Sequence, residues 1–186
     1  MEDRRFRPAL FALVEVAEEM LDGVIGSIEG SRRIVRLKPN AGDLDDEAFL
    51  PFVGIDSESE DIIIGEGRAL WSDEFLKRSD QQCEAYEDAL RPGIGEDCRA
   101  LLEMLQARLR ECPICRYAGL ARPPYDAVGT PSYETCGSCG YKFGIIDAIG
   151  YDFAEWRRRW IRDEGGRRKK IDEYAMTEDE SDDCEE

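Results

Sequence analysis

The sequence predicts an α+β protein, with a mainly α-helical N-terminal region, a β-hairpin that carries four cysteines, and a C-terminal helix. Apolar residues recur at three- and four-residue steps through most of the first 110 residues, as in amphipathic helices. Further along, Tyr133, Tyr141 and Phe143 are residue types typical of half-exposed paired strands. Asp152 followed by Glu155 is a variant of the capping box and predicts that the last helix begins there.

Two C-x-x-C pairs dominate the second half of the chain: Cys112 with Cys115, and Cys136 with Cys139, separated by 20 residues. Paired sulfurs at this spacing are typical of a structural zinc site, in which four thiolates surround one Zn²⁺ as a tetrahedron. The sequence therefore predicts a zinc-ribbon β-hairpin, with strands near residues 132–136 and 140–146. Four buried thiols or two disulfides are the alternative interpretations. Because every ligand is cysteine, no coordination position is left for a reacting water, which favours a structural ion.

The periodicity places helices over residues 8–28, 31–37, 71–90 and 94–110. Gly30 predicts a break or a close helix crossing, and Pro92 with Gly93 predicts the end of the third helix. Ser72 is a candidate N-cap for that helix. Residues 50–55 read as a short strand or a buried extended segment.

An acidic run follows this segment and supplies the candidate partner-binding residues, Asp56, Glu58, Glu60 and Asp61. The run lacks the glycine and the terminal glutamate of an EF-hand loop, so a calcium site is disfavoured. The remaining interpretations are a solvated turn and an acidic loop that faces a partner. We expect the apolar segments on both sides to hold this loop in place.

Charge and composition reduce the number of functional classes that fit the chain. The chain carries 42 acidic and 25 basic residues, for a net charge of −17, and it has no histidine. The absence of histidine excludes the usual general base and the Ser-His triads. The acidity disfavours nucleic acid as a partner and favours a basic protein. Seven cysteines, an odd number, fit a reducing compartment. The first residues resemble neither a signal peptide nor a membrane span, so we expect a cytoplasmic protein.

We expect three regions: a mainly helical region over residues 1–110, a cysteine module over residues 111–163, and a flexible charged tail over residues 164–186. Residues 157–170 contain eight basic and two acidic side chains, whereas residues 171–186 contain nine acidic side chains and no basic one. Within the basic stretch, the cluster Arg167-Arg168-Lys169-Lys170 suggests nucleic-acid binding, and the acidic tail beside it competes with that role. Cys184 in the tail is expected to be a free thiol.

Residues 111–162 resemble the bacterial cysteine-rich CPCC proteins, which are zinc-ribbon-like. The resemblance is carried by both C-x-x-C pairs, by Ser132-Tyr133-Glu134, by Phe143-Gly144 and by the Arg-Trp-Ile close at residues 159–161. Two positions depart from the pattern: Arg116, where glycine is common, and Gly137, where proline is common. Neither is a ligand. Many such proteins look like immunity proteins of toxin systems.

The sequence therefore predicts a non-enzymatic acidic protein with one structural Zn²⁺, most simply an immunity protein that binds and neutralises a basic toxin such as a nuclease. The alternative function is a zinc-ribbon adaptor that binds nucleic acid, or the transcription or translation machinery, through the arginine-rich C-terminal helix. An enzyme is disfavoured, since no phosphate-binding loop and no distinct carboxylate pair stand out. The oligomeric state is left open.

Overall fold

Five α-helices make up most of the regular structure in residues 7–164, the part of the chain that the computed structural model describes. They are α1 (Pro8–Leu21), α2 (Ser27–Leu37), α3 (Leu50–Glu58), α4 (Asp73–Leu109) and α5 (Phe153–Glu164). Short 3₁₀ turns cover Lys38–Asn40, Glu47–Phe49 and Gly65–Leu70. The described residues divide into two compact units, a helical unit (residues 7–108) and a cysteine unit (residues 109–164). The tail predicted over residues 164–186 lies, except for Glu164, outside the described residues.

In the helical unit, α2 packs against both α1 and α3. The first predicted helix is too long, because α1 ends at Leu21 and residues 22–26 separate it from α2. Gly30 therefore lies inside α2 and marks a close crossing, not a break. A Cβ at this position would come within 2.2 Å of the Met20 sulfur, so any larger residue would force the Met20 side chain to move. The buried side chains include Leu10, Leu13, Ile34, Phe49, Phe52, Leu101 and Leu105.

The N-terminus of α2 is capped from α4. The two carboxylate oxygens of Glu87 accept hydrogen bonds from the backbone N–H groups of Ser27 and Ile28, both at 2.9 Å. These N–H groups have no acceptor within their own helix, and the carboxylate also lies at the positive end of the helix dipole. Residues far apart in sequence are thereby joined by a charge-assisted contact.

Residues 50–55 form a helix, so the predicted strand is wrong. Pro51 occupies the first turn of α3, where its missing N–H costs nothing. Phe52 and Ile55, three residues apart, share the buried side of the helix. The predicted break at Pro92 is also wrong, since α4 continues through it to Leu109. Pro92 is exposed, so the carbonyl four residues earlier lies on the solvent side, where water can replace the lost donor.

The cysteine unit contains no β-strand within its described residues, so the predicted α+β class with a zinc-ribbon β-hairpin is wrong. Two isolated bridges, Tyr125 with Pro131 and Thr135 with Lys142, are all the pairing found in residues 7–164. Tyr133 has a φ of 59° and Gly144 a φ of 81°. These left-handed residues lie inside the two predicted strands, and an extended strand cannot pass through them. Within the predicted hairpin, pairing is therefore confined to the residues around Thr135 and Lys142.

Other boundaries match the sequence pattern. The Ser72 hydroxyl accepts a hydrogen bond from the Phe75 N–H at 3.3 Å, as expected of an N-cap. Asp152 caps α5 through a 2.6 Å bond from the Glu155 N–H. None of the helices in the described range combines the length and the apolar composition that crossing a bilayer requires.

Candidate metal centre

The two C-x-x-C pairs fold into turns with the same backbone hydrogen bonds. In the first turn, the Cys112 N–H donates to the Tyr117 carbonyl at 2.8 Å, and the Arg116 N–H donates to the Cys112 carbonyl at 2.9 Å. In the second turn, Cys136, Gly140 and Tyr141 repeat this pattern, with both bonds at 2.9 Å. The chain thus contains two copies of a C-x-x-C-x-Y turn, a repeat that the sequence displays and that the sequence analysis missed.

Each turn requires a left-handed residue directly after its second cysteine. Gly140 fills this position in the second turn with a φ of 71°, at no steric cost. Arg116 fills it in the first turn with a φ of 63°, a conformation that costs a side-chain-bearing residue roughly 1–2 kcal/mol. The departure from glycine at position 116 therefore leaves the turn geometry intact, with strain in the backbone.

The turns bring four sulfur atoms together. The Sγ atoms of Cys112 and Cys139 are 3.8 Å apart, and those of Cys115 and Cys136 are 3.6 Å apart. All four lie within 4.8 Å of one another. A Zn–S bond of about 2.3 Å implies sulfur–sulfur distances of about 3.8 Å in a regular tetrahedron. The four described sulfurs are free thiols, so the arrangement is compatible with a metal site and not with two disulfides.

The four thiols of the cluster differ in their burial and in the direction in which their pKa is shifted. Cys112, Cys136 and Cys139 are buried, whereas Cys115 is half-buried. Hydrogen bonding with Cys112 lowers the pKa of Cys115 and of Cys136 and raises the pKa of Cys139. A hydrogen bond with Cys115 raises the pKa of Cys112. A metal ion binds cysteine as thiolate, so the four thiols would have to lose their protons when an ion binds.

Aromatic side chains enclose the sulfur cluster. Tyr141 and Phe143 are fully buried, with ring centroids 5.4 Å apart. Phe153 and Trp156 from α5 meet the Tyr141 ring edge to face, at 5.3 Å and 5.4 Å. The Trp156 indole N–H also donates to the Cys139 carbonyl at 2.9 Å. Helix α5 is therefore fixed to the second turn by packing and by a hydrogen bond.

Two carboxylates hold the long segment between the turns, and the sequence analysis missed both. The Glu134 carboxylate accepts hydrogen bonds from the N–H groups of Ala121 and Arg122, at 2.9 Å and 3.3 Å. The Asp147 carboxylate accepts from the Tyr125 hydroxyl and, at 2.8 Å, from the Gly144 N–H. Burial, and then the bond to Asp147, raise the pKa of Tyr125, which stays protonated as the donor. Glu134 precedes the second cysteine pair and Asp147 follows it, and neither position carries a spacing signal for these contacts.

The four candidate partner-binding residues are not equivalent. Asp56 and Glu58 belong to the last turn of α3 instead of a loop. Asp56 faces Arg32 at 3.7 Å, and Glu58 accepts a 2.8 Å hydrogen bond from the Tyr86 hydroxyl. Glu60 and Asp61 follow the helix and are exposed. The helical unit thus already uses half of the predicted docking carboxylates for its own contacts.

Comparison with protein-family models, with curated proteins and with solved structures finds no match to this chain. The resemblance of residues 111–162 to the CPCC proteins therefore stays a prediction from the motifs.

Proposed function

We propose that this chain is a non-catalytic binding protein that docks on a basic protein through its acidic helical unit, with a zinc ion as the structural core of its cysteine unit. The observation that carries the proposal is the separation of charge between the two units. Residues 7–108 contain 23 acidic and 11 basic side chains, a net charge of −12, whereas residues 109–164 contain eight of each. Such a field accelerates encounter with a cationic partner and opposes binding to nucleic acid.

Zinc is the ion that best fits the cysteine cluster. Four thiolates at tetrahedral spacing suit Zn²⁺, and a site with four protein ligands has no open position for a substrate. Two negative charges stay on such a complex, and the burial of three sulfurs protects it from water. The ion would join the two C-x-x-C-x-Y turns and the aromatic residues around them into one folded unit.

The finer form of the proposal is an immunity protein that neutralises a basic toxin in the cytoplasm. Its support is the resemblance of the cysteine unit to the CPCC proteins together with the acidity of the helical unit. The affinity would depend on a few buried anchors, and the acidic surface would set the association rate.

Co-purification from the native host, followed by reconstitution from purified components, tests this function. We expect a basic protein that associates at low salt, associates more slowly as salt rises, and loses its toxicity when the complex forms. An immunity protein protects cells from the toxin that it binds, and the gene next to its own is the first candidate for that toxin. If no basic protein binds the purified chain, and if the chain does not protect cells that express the product of the adjacent gene, the proposal fails.

A second function is favoured by the exposed side of α5. Arg157, Arg158 and Arg162 are exposed there, while Trp156 and Trp160 pack inward. Within the described part of the chain, Arg157 and Arg158 have no acidic partner. This surface would suit the phosphate backbone of RNA or DNA. A salt-dependent gel shift by the purified protein would support this adaptor function, and the absence of a shift at low salt would eliminate it.

A further inference from the structure

The outer side of α3 is apolar although it faces solvent. Leu50 and Val53 are 61% and 41% exposed, while Phe52 and Ile55 on the opposite side are buried. Leu50 and Val53 are three residues apart and therefore neighbours on the helix surface. A nine-residue helix that is apolar on both sides is typical of an element covered on both sides.

Acidic side chains lie on both sides of this apolar surface in the sequence. Residues 43–61 contain eight acidic residues and no basic one. Four of the eight are engaged within the helical unit: Asp45 with the Glu47 N–H, Asp46 with Lys38, Asp56 with Arg32, and Glu58 with the Tyr86 hydroxyl. Asp43, Glu60 and Asp61 are exposed and form no ion pair with another described residue. The segment is therefore apolar at its centre in sequence and carries uncompensated negative charge before and after α3, which favours a partner that combines apolar with basic side chains.

Gly54 makes this surface accessible to a partner's backbone. A Cβ built at Gly54 would meet nothing within 4 Å, so the space above the residue is open. Gly54 lies one residue from Val53 and four from Leu50, on the same side of α3 as Leu50. Glycine inside a helix costs roughly 0.5–1 kcal/mol relative to alanine, so its presence here has no explanation in helix stability.

We propose that this docking face, Leu50, Val53 and Gly54 with the acidic residues of the segment 43–61 around it, receives a basic amphipathic helix of the partner. The inference rests on the proposed function and locates its contact. Apolar side chains of the incoming helix pack on Leu50 and Val53, and its lysines or arginines meet Asp43, Glu60 and Asp61. A second copy of this chain would present the same acidic residues, and an anionic membrane would likewise be repelled, so neither matches the charge.

The test uses the full chain and a synthetic helical peptide of leucine and lysine, with leucines on one side only. Gly54→Arg adds bulk and positive charge on the docking face. Gly93→Arg is the matched control, because Gly93 is likewise helical and has no neighbour within 4 Å of a built Cβ. We expect Gly54→Arg to weaken peptide binding about tenfold or more, as for the loss of one anchor contact, and Gly93→Arg to leave it unchanged. Nuclear magnetic resonance shifts of the wild type should concentrate in α3.

Thermal unfolding of both variants checks their folding, and we expect no loss, since arginine is a better helix former than glycine. Should Gly54→Arg fail to fold, Val53→Gln removes an anchor from the same face and is expected to weaken binding in the same direction. Peptide binding that depends on salt but is unaffected by either variant would overturn the docking face and leave the proposed function standing. No binding of the cationic peptide at low salt would contradict both. Self-association of the wild type that Gly54→Arg abolishes would identify a second copy as the occupant and overturn the inference.

Discussion

The indole Nε1 of Trp156 lies 2.9 Å from the carbonyl oxygen of Cys139, so α5 is hydrogen-bonded to the backbone of a metal-binding turn. The same ring contacts Tyr141 edge to face. Helix α5 and the sulfur cluster should therefore fold and unfold together.

Replacing Trp156 by phenylalanine keeps an aromatic ring and removes the hydrogen bond. We expect the free energy of unfolding of the metal-loaded cysteine unit to fall by about 1 kcal/mol, measured by urea titration with metal release as the readout. Trp71→Phe is the control, because Trp71 is 47% exposed on the helical unit. Equal metal release from both variants would contradict a role for α5 in holding the centre.

Arg116 and Gly140 occupy equivalent left-handed positions in the two turns, so substitutions at these positions should change the stability in opposite directions. Arg116→Gly relieves the strain at a φ of 63°, and the Glu111 ion pair that it removes, at 3.6 Å, is half-exposed and weak. We expect the stability of the cysteine unit to rise by about 0.5–1 kcal/mol. Gly140→Ala introduces the same strain at the second turn and should lower it by about 1 kcal/mol. Changes of the same sign in both variants would show that the turns are not equivalent.

The carboxylate cap of α2 is tested by Glu87→Gln, which removes the charge and one of the two acceptors. The free energy of unfolding of the helical unit should fall by about 1 kcal/mol. Glu84→Gln, an exposed position three residues earlier on α4, should change little. Urea denaturation followed by circular dichroism measures both. If Glu84→Gln costs as much as Glu87→Gln, the loss reflects overall charge and not the cap.

The raised pKa of Tyr86 predicts that the helical unit loses stability at alkaline pH. Burial, and then the hydrogen bond to Glu58, raise the pKa of Tyr86 to about 12. In the unfolded chain a tyrosine titrates near 10. A raised pKa contributes stability that is fully present below pH 10 and is lost as the pH rises from about 10 to about 12. Tyr86→Phe should remove the phenol that ionises near pH 12 in the ultraviolet titration. If the phenol that the substitution removes ionises near pH 10 instead, the Tyr86–Glu58 contact is contradicted.

The sequence predicts the metal centre better than the fold around it. The spacing of Cys112, Cys115, Cys136 and Cys139 is a local signal, and the structure brings these four sulfurs together. The hairpin prediction fails because the aromatic residues near the cysteines pack around the sulfur cluster and not along a sheet. The left-handed conformation of Tyr133, which ends the pairing, has no signature in the sequence.

The helical unit shows a second limit on what can be predicted from the sequence. Its helices are predicted from periodicity, but Leu50–Glu58 is apolar on both sides and is too short for periodicity to distinguish a helix from a strand. At Pro92 the sequence predicts a helix end where the structure has none. Proline is a strong local helix breaker, but it is tolerated here on the solvent side of a long helix. The cap of α2 by Glu87 links residues about 60 positions apart, so no local pattern reveals it.

The most direct test of the account is the metal content and coordination of the purified protein. We expect one zinc ion per chain, bound by four sulfurs at about 2.3 Å in X-ray absorption spectra, and loss of the folded cysteine unit when a chelator removes the ion or when Cys136 is replaced by serine. A metal-free protein whose residues 109–164 give the same amide spectrum as the metal-loaded form would contradict the central claim.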